Sequence, residues 1–407
     1  MSLNIAISGA GIGGLAAAIL LSRDGHSVSV YDQFDTPRPV GAGFILQETG
    51  LTILGEMGLR DRVEALGSRL TRLHGISADN QRTVLDVRYA ALRNGLCGVS
   101  LQRCALFDLL YETALAEGVE IVSSARIITA IPTTGHLTIG TGQTVGPYDL
   151  LIDALGVRSP LSSRSRRPLT FGALWATLEW PDESLFDAAA LEQRYRRARQ
   201  MAGVMPSGQL TSDGKQTLTF FWSIRADAYL DWKKAPLDDW KKEATALWPD
   251  TEGLLAQITY HDQLTFARYD HRTHVPVVRE RLVHIGDSWH AASPQLGQGA
   301  NLALLDAYAL ARALRTHSDT GAALTAYVKM RRGHVRLFQA MSWMFTPVYQ
   351  SESVVLAWLR DWLAAPLSRV PPAPQMLAGM VSGAIGRPLK KLGLKPGDQS
   401  CDSAFKR

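Results

Sequence analysis

The chain has 407 residues, 46% of them hydrophobic and 20% charged, with a formal net charge of +5. This balance fits a globular protein of two or three domains with sizeable cores and excludes a disordered or fibrous chain. The basic clusters Arg194–Arg199, Lys233-Lys234 and Lys241-Lys242 lack the interleaved aromatics of a nucleic-acid-binding surface and read as solvated helix faces.

The first element is the most telling. Ile5 to Ile7 reads as a buried parallel strand, broken by Gly9-Ala-Gly-Ile-Gly-Gly14 and followed by an apolar helix from Leu15 to Leu21. Gly9, Gly11 and Gly14 occupy a G-x-G-x-x-G pattern, with Gly13 inside the turn. In such a turn the first glycine permits the bend and the second lets a pyrophosphate approach the backbone. The third lets helix and strand pack closely, and the helix N-terminus faces the anion. A second strand, Val28 to Tyr31, ends at Asp32, about 20 residues beyond the glycines, where a ribose-binding acid belongs. A glycine-rich turn in an ordinary strand–helix unit is the alternative.

Thr36 to Pro39 reads as a loop, and Val40-Gly-Ala-Gly-Phe44 as backbone able to lie against a planar ligand or simply to turn. A helix is expected over Leu51–Met57, and strands of a different sheet within Leu70–Val99. Arg103 falls in the first turn of the next helix, where it opposes the helix dipole and so suggests an anion partner. Further strands are expected at Val119–Ser123, Leu137–Ile139 and Tyr148–Asp153. From Leu169 to Phe266 short β-rich runs (Phe171–Leu178, Leu218–Trp222) alternate with charged helical stretches such as Leu237–Leu247. All ten tryptophans lie between Trp175 and Trp362, which suggests an aromatic-rich sheet in a second domain.

A strand from Arg281 closes at Gly286-Asp287. A loop, Ser288 to Pro294, follows, and Gln295-Leu-Gly-Gln-Gly-Ala-Asn301 leads into an apolar helix, Leu302–Leu314. A carboxylate at a strand's edge suits a sugar or ribityl hydroxyl. Gly297 and Gly299 let a helix N-terminus approach a flat ring, and its dipole favours electron-rich or anionic flavin. Cys97, Cys104 and Cys401 show no C-x-x-C spacing, which predicts neither a disulfide framework nor a metal site and fits a reducing cytosol. The N-terminus enters its strand at once, without a signal peptide, and no apolar run is long enough to span a bilayer.

These motifs resemble those of the group A, FAD-dependent aromatic hydroxylases, the para-hydroxybenzoate hydroxylase-like flavoprotein monooxygenases. The family's late motif, G-D-A-A-H-x-x-x-P-x-x-G-Q-G-x-N, is matched by Gly286 to Asn301 except at Ser288 and Trp289. The resemblance implies an α/β fold: a Rossmann-like FAD-binding domain, a β-rich substrate domain and a helical C-terminal region. The expected boundaries are 1–70, 100–168 and 265–330 for FAD, 71–99 and 169–264 for substrate, and 331–407 for the helices. It further implies that Asp287 holds the FAD ribityl chain, that Pro294 and the backbone through Gly297, Gly299, Ala300 and Asn301 face the isoalloxazine, and that Arg103 lies near the FAD phosphates. The implied reaction is hydroxylation of an aromatic or related electron-rich substrate with O2 and NAD(P)H through a C4a-hydroperoxyflavin.

One motif departs. Where the family has A-D-G-x-x-S, this chain has Ala154-Leu-Gly-Val-Arg-Ser159. Leu155 cannot accept an aspartate's hydrogen bonds, so the network there must differ, which bears on reduction by NAD(P)H. Arg158, with Arg164, Arg166 and Arg167, could meet a dinucleotide phosphate or form a solvated basic loop. The C-terminal stretch, with Trp343, Trp358 and Trp362, is loosely similar to that of the ubiquinone-biosynthesis hydroxylases. It either packs on its own catalytic domain or rests on a membrane, so the chain is expected to be cytoplasmic or peripherally membrane-bound. Trp222 and Tyr269 are candidate pocket residues, and His290 reads as structural. No catalytic residue is assigned. Arg225, Arg268 and Arg279 are the arginines considered for a substrate carboxylate, and a large apolar substrate is expected. A flavin-dependent dehydrogenase or halogenase is the alternative, although the W-x-W-x-I-P halogenase pattern is absent from the sequence. A non-catalytic FAD-binding protein is another.

Overall fold

The computed structural model describes residues 2–37, 42–93, 95–162, 167–211 and 213–396. Arg38 to Gly41, Arg164, Arg166 and Cys401 therefore lie outside the described residues, as does the side chain of Arg167.

The first strand, Asn4–Ser8, is flanked on one side by Ser27–Tyr31 and on the other by Leu150–Asp153, both parallel to it. Glu120–Val122 and Leu282–His284 extend the parallel sheet at its two ends, and Val278–Arg279 adds one antiparallel edge strand. Ile5, Ala6 and Ile7 are fully buried, as expected for parallel strands covered on both faces. The strand order reverses direction beside Asn4–Ser8, so a crevice opens at the carboxyl ends of the strands. The helix Ile12–Arg23 leaves this point and packs on the late helix Gly299–Thr316. Gly13 makes that crossing close: a Cβ there would stand 3.2 Å from that of Ala303.

A seven-stranded sheet forms the second layer, in the order Thr265–His271, Arg167–Glu179, Gln216–Arg225, Gln200–Gln209, Ala190–Arg196, Arg72–Ser77, Thr83–Arg88. Its pairings are antiparallel except that Ala190–Arg196 runs parallel to Arg72–Ser77. One face packs Phe220, Trp222, Trp240 and Trp248 into a core beneath the helix Leu237–Leu247; the other carries Phe221, Met201, Met205 and Leu191. The long helix Thr320–Tyr349 and the shorter Val354–Leu359, Ala373–Val381 and Pro388–Lys391 follow.

Two expectations are corrected. Cys97 is disulfide-bonded and Cys104 is a free thiol. Chain spacing carries no information about pairing between remote segments, so the cysteine pattern says nothing about redox compartment here. The segment expected as a loop after Gly286 begins with a helical turn, Asp287–His290. Gly286 enables it by adopting a left-handed φ of +59°, and the Ser288 hydroxyl fixes it against the carbonyls of Asp153 and Ile285.

Candidate functional site

The glycine turn works through steric absence. Gly9 has φ +104°, and a Cβ there would come within 2.6 Å of the Ala154 carbonyl oxygen. A Cβ at Gly14 would overlap the Gly9 carbonyl oxygen, whereas one at Gly11 would meet nothing within 4 Å. Gly9 and Gly14 thus close the turn, while Gly11 opens onto a cleft of about 440 Å³. Gly13, Arg103, Asp287, Pro294, Gly297, Gly299 and Ala300 line the same cleft, as does His290.

Asp32 and Asn301 act from behind this lining. Asp32 accepts from the Ala10 and Phe34 N–H groups (2.7 and 3.2 Å) and so clamps the turn to the end of the second strand. The Asn301 side chain is fully buried; it accepts from Gln47 N–H (2.8 Å) and donates to the Ile45 and Gly297 carbonyls. Its amide therefore ties the strand Phe44–Leu46 to the head of the late helix.

The helices beginning at Ile12 and Gly299 have no side-chain cap. Their first N–H groups carry partial positive charge and lack intrahelical partners. Gln298 does not cap the second helix: its amide nitrogen donates to the Val381 carbonyl, and its Oε1 accepts from no described residue. Two helix N-termini, an open glycine edge and the Arg103 guanidinium thus converge on one cleft, and Asp287 supplies an acceptor. That donor set fits a dinucleotide bearing a pyrophosphate at one end and an electron-rich ring at the other.

Two buried carboxylates support the cleft from below. Asp306 accepts from His290 Nε2 (2.5 Å), Arg331 Nε (2.6 Å) and Gly286 N–H (2.9 Å). The neighbouring His290 and Arg331 hold its pKa down to about 2 despite full burial. His290 Nδ1 has no hydrogen-bond partner among the described residues. Asp153, also fully buried, accepts from Ser159 Oγ (2.6 Å), Ser162 Oγ (3.1 Å) and Leu155 N–H (3.0 Å), and pairs with His284 Nδ1 at 2.8 Å. At the departing motif a carboxylate two residues before Leu155 gathers donors from both sides of the Gly156–Arg158 turn. Arg158 is exposed. Asp287 opens onto the cleft while protein surrounds it. That enclosure raises its pKa, opposed by the lowering influence of His290 and Arg103.

Beside the cleft lies a second chamber of about 180 Å³. Phe44, Trp175, Tyr269, Pro294, Leu296 and Gly297 line both. Its walls are otherwise largely apolar, with Leu73, Val87, Met201, Met205 and Phe221 from the sheet and Phe345, Tyr349 and Met380 from the C-terminal helices. No Asp, Glu, Lys, Arg or His lines it among the described residues. Burial pushes the hydroxyls of Tyr195, Tyr269 and Tyr349 well up. Gln350, 5% exposed, has neither amide atom partnered among the described residues.

Tyr269 thus stands on the shared wall, where its hydroxyl accepts from Trp175 Nε1 (2.9 Å). Trp222 does not: it points into the core on the opposite sheet face, edge-on to Trp240. Successive strand residues alternate faces, and the Phe220-Phe-Trp222 run signals two apolar faces without saying which one meets the ligand. Arg225 is held at the surface by Asp227 and Glu352, Arg279 is exposed, and only Arg268 reaches the cleft. Sequence reasoning missed Gln350, Phe221 and Trp175, which no motif marks.

A family model described as FAD binding domain matches residues 2–340. The chain belongs to this family. Among curated relatives, this flavoprotein is 27% identical over 346 residues to a putative FAD-dependent monooxygenase, YetM, of Bacillus subtilis, covering 83% of this chain and 91% of that one. It is 26% identical over 380 residues to the 2-heptyl-3-hydroxy-4(1H)-quinolone synthase of Pseudomonas aeruginosa, covering 89% and 93%. Its fold matches that of Klebsiella pneumoniae HpxO complexed with FAD and uric acid, with a TM-score of 0.76 at 22% identity over 94% of this chain and 98% of the other. The protein is an FAD-dependent monooxygenase of the aromatic-hydroxylase type.

Proposed function

We propose that this monooxygenase inserts one oxygen atom of O2 into an electron-rich, uncharged and largely apolar aromatic or heteroaromatic substrate, with NAD(P)H as the reductant. The observation carrying this reading is the uncharged apolar chamber that shares a wall with the glycine-lined cleft. FAD, when bound, supplies the redox and oxygen chemistry, and the protein supplies position, electrostatics and dryness.

In this reading Arg103 and the N-terminus at Ile12 meet the pyrophosphate, Asp287 accepts from ribityl hydroxyls, and Asp32 holds the turn that receives the ribose. The uncapped helix end at Gly299-Ala300 faces the flavin ring and stabilises negative charge on it. Residues 1–70, 100–168 and 265–330 serve FAD, and 71–99 and 169–264 serve substrate, with the C-terminal helices closing the chamber. Leu73, Met205 and Phe221 exclude water. The tyrosines stay protonated near neutral pH, so they donate hydrogen bonds and do not act as bases. Tyr269, whose oxygen already accepts from Trp175, keeps its own proton to donate across the shared wall. Among the described residues no basic side chain lines the chamber, so in this reading ring activation resides in the substrate itself. Gln350 offers an amide to one neutral polar substituent, because an unpaired buried amide gains most from such a partner.

The test is a substrate series from small hydroxybenzoates to larger neutral rings such as alkylquinolones and prenylated or polycyclic phenols. NAD(P)H consumption is compared with product formed from isotopically labelled oxygen by mass spectrometry. Neutral rings are expected to give the highest kcat/KM with tight coupling. A small hydroxybenzoate as the best coupled substrate would overturn the reading. Gln350→Leu is expected to raise KM about fivefold, equivalent to ~1 kcal/mol, with little change in kcat.

A further inference from the structure

The helical segment following Ser353 is inside out. A helix on a soluble protein turns its apolar stripe inward and its charges to water. Here Arg360 and Asp361 are 2% and 6% exposed: the guanidinium pairs with the Asp361 carboxylate at 2.7 Å and donates to the Arg197 carbonyl. Val354, Val355, Trp358, Leu363, Leu367 and Val370 point outward. On the neighbouring long helix Trp343 is 69% exposed and Met344 54%. Isolated exposed apolar residues need no explanation, but a contiguous set of this size marks an interaction surface.

Charge identifies the partner. Residues 320–396 contain ten lysines and arginines, of which Arg331 and Arg360 are buried and paired, against two acids, Glu352 and Asp361. Both acids are already engaged, Glu352 by Arg225 and Arg199, and Asp361 by Arg360. Lys329, Arg336 and Trp343 recur at seven-residue spacing along the long helix and are all exposed, so they fall on one face. A cationic belt thus runs into an apolar patch carrying indoles. Arg82 adds a further cation by stacking over Trp362 at 4.1 Å.

We propose that this face docks on an anionic lipid bilayer, with the tryptophans at headgroup depth and the belt against the lipid phosphates. Indoles favour that depth, and each Lys or Arg near an anionic surface adds about 1 kcal/mol of attraction. A second copy of the chain fits less well, because isologous pairing brings the belt close to its own copy. Phe345 and Tyr349 of the same long helix line the apolar chamber, so docking sets the chamber beside the lipid phase.

The test uses full-length, FAD-loaded protein and vesicle flotation. Vesicles containing phosphatidylglycerol should carry the protein, and pure phosphatidylcholine vesicles should bind it roughly tenfold more weakly, with a similar loss at high salt. Trp343→Asp combined with Trp358→Asp should lose binding by at least roughly tenfold. Lys329→Glu combined with Arg336→Glu should do the same; these surface positions keep the test intact if the tryptophan pair misfolds. Activity on a soluble substrate should be unchanged in both. Absence of flotation with anionic vesicles would overturn the proposal. So would a protein dimer, seen by sedimentation without lipid, that the tryptophan substitutions abolish while vesicles fail to bind.

Discussion

Around the cofactor cleft the decisive atoms belong to the main chain: Gly9 and Gly14 leave room for carbonyls, Gly11 leaves room for a ligand, and helix ends supply donors. Around the adjoining chamber they belong to side chains, with Phe221, Met205 and Tyr349 meeting from three separate segments. Backbone shape restricts which residues a position tolerates, whereas an apolar wall accepts many residues of similar volume. The two cavities should therefore fail differently when altered. Damage beneath the cleft should cost stability or FAD, and damage to the chamber should cost substrate discrimination.

The largest effect is expected beneath the cleft. Asp306→Ala strands the Arg331 guanidinium without its carboxylate and should destabilise the protein by about 3–5 kcal/mol, read as a lower Tm and a lower denaturant midpoint. The same pair sets an acid limit. A carboxyl whose folded pKa, about 2, lies below its unfolded value of 3.8 contributes stability that is complete above pH 4 or so. This contribution fades as pH falls through about 2. An Asp306→Ala variant should lose that part of the acid sensitivity; an unchanged acid midpoint would sever the link.

A sharper contrast comes from two adjacent residues on opposite faces of one strand. Trp222→Leu should cost about 2–3 kcal/mol of stability by leaving a cavity, with KM for the best substrate unmoved. Phe221→Leu should change KM and coupling at a smaller stability cost. Steady-state kinetics beside thermal melts separate the two, and matching kinetic effects in both variants would dissolve the distinction between the faces.

The smallest effect should touch the cofactor alone. Asp287→Ala removes one acceptor from the cleft and should weaken FAD binding by about 1–3 kcal/mol, measured by flavin titration of the apoprotein. Its apo Tm should hold, because the carboxylate opens onto the cleft and has solvent around it in the apoprotein. Unchanged FAD affinity would remove Asp287 from the site.

This division also explains what could be read from the chain. The turn from Gly9 to Gly14 is legible because steric exclusion leaves glycine at its two ends, and the run from Gly286 to Asn301 because Gly286 and Gly297 take a left-handed φ that glycine alone adopts without strain. Asp32 was legible as a position, but its clamp on the Ala10 N–H was not, since a carboxylate at a strand end suits both tasks. Asn301 reads as part of a ring-facing stretch, yet its amide binds Gln47 and Ile45, more than two hundred residues away in sequence. Asp153 went unremarked because its function depends on His284, Ser159 and Ser162 converging, and convergence leaves no local trace. Trp222 was misplaced because alternation fixes that two faces exist, not which one meets the ligand.

The parallel pairing of Leu151 with Leu282 has a consequence for the order in which the protein is made. Contacts this distant in sequence form slowly and late. The strand Asn4–Ser8 and its glycine turn leave the ribosome first, but Asp287 and the helix end at Gly299 come after the entire seven-stranded sheet. A nascent chain stopped before Leu282 therefore holds half a nucleotide site, with the carboxyl edge of Leu150–Asp153 unpaired on one side. Flavin can reward only the finished arrangement, since a ligand stabilises the state that binds it. Flavin supply during synthesis should accordingly set the yield of folded protein by trapping completed chains, and translation-arrested chains ending before Leu282 should retain no flavin.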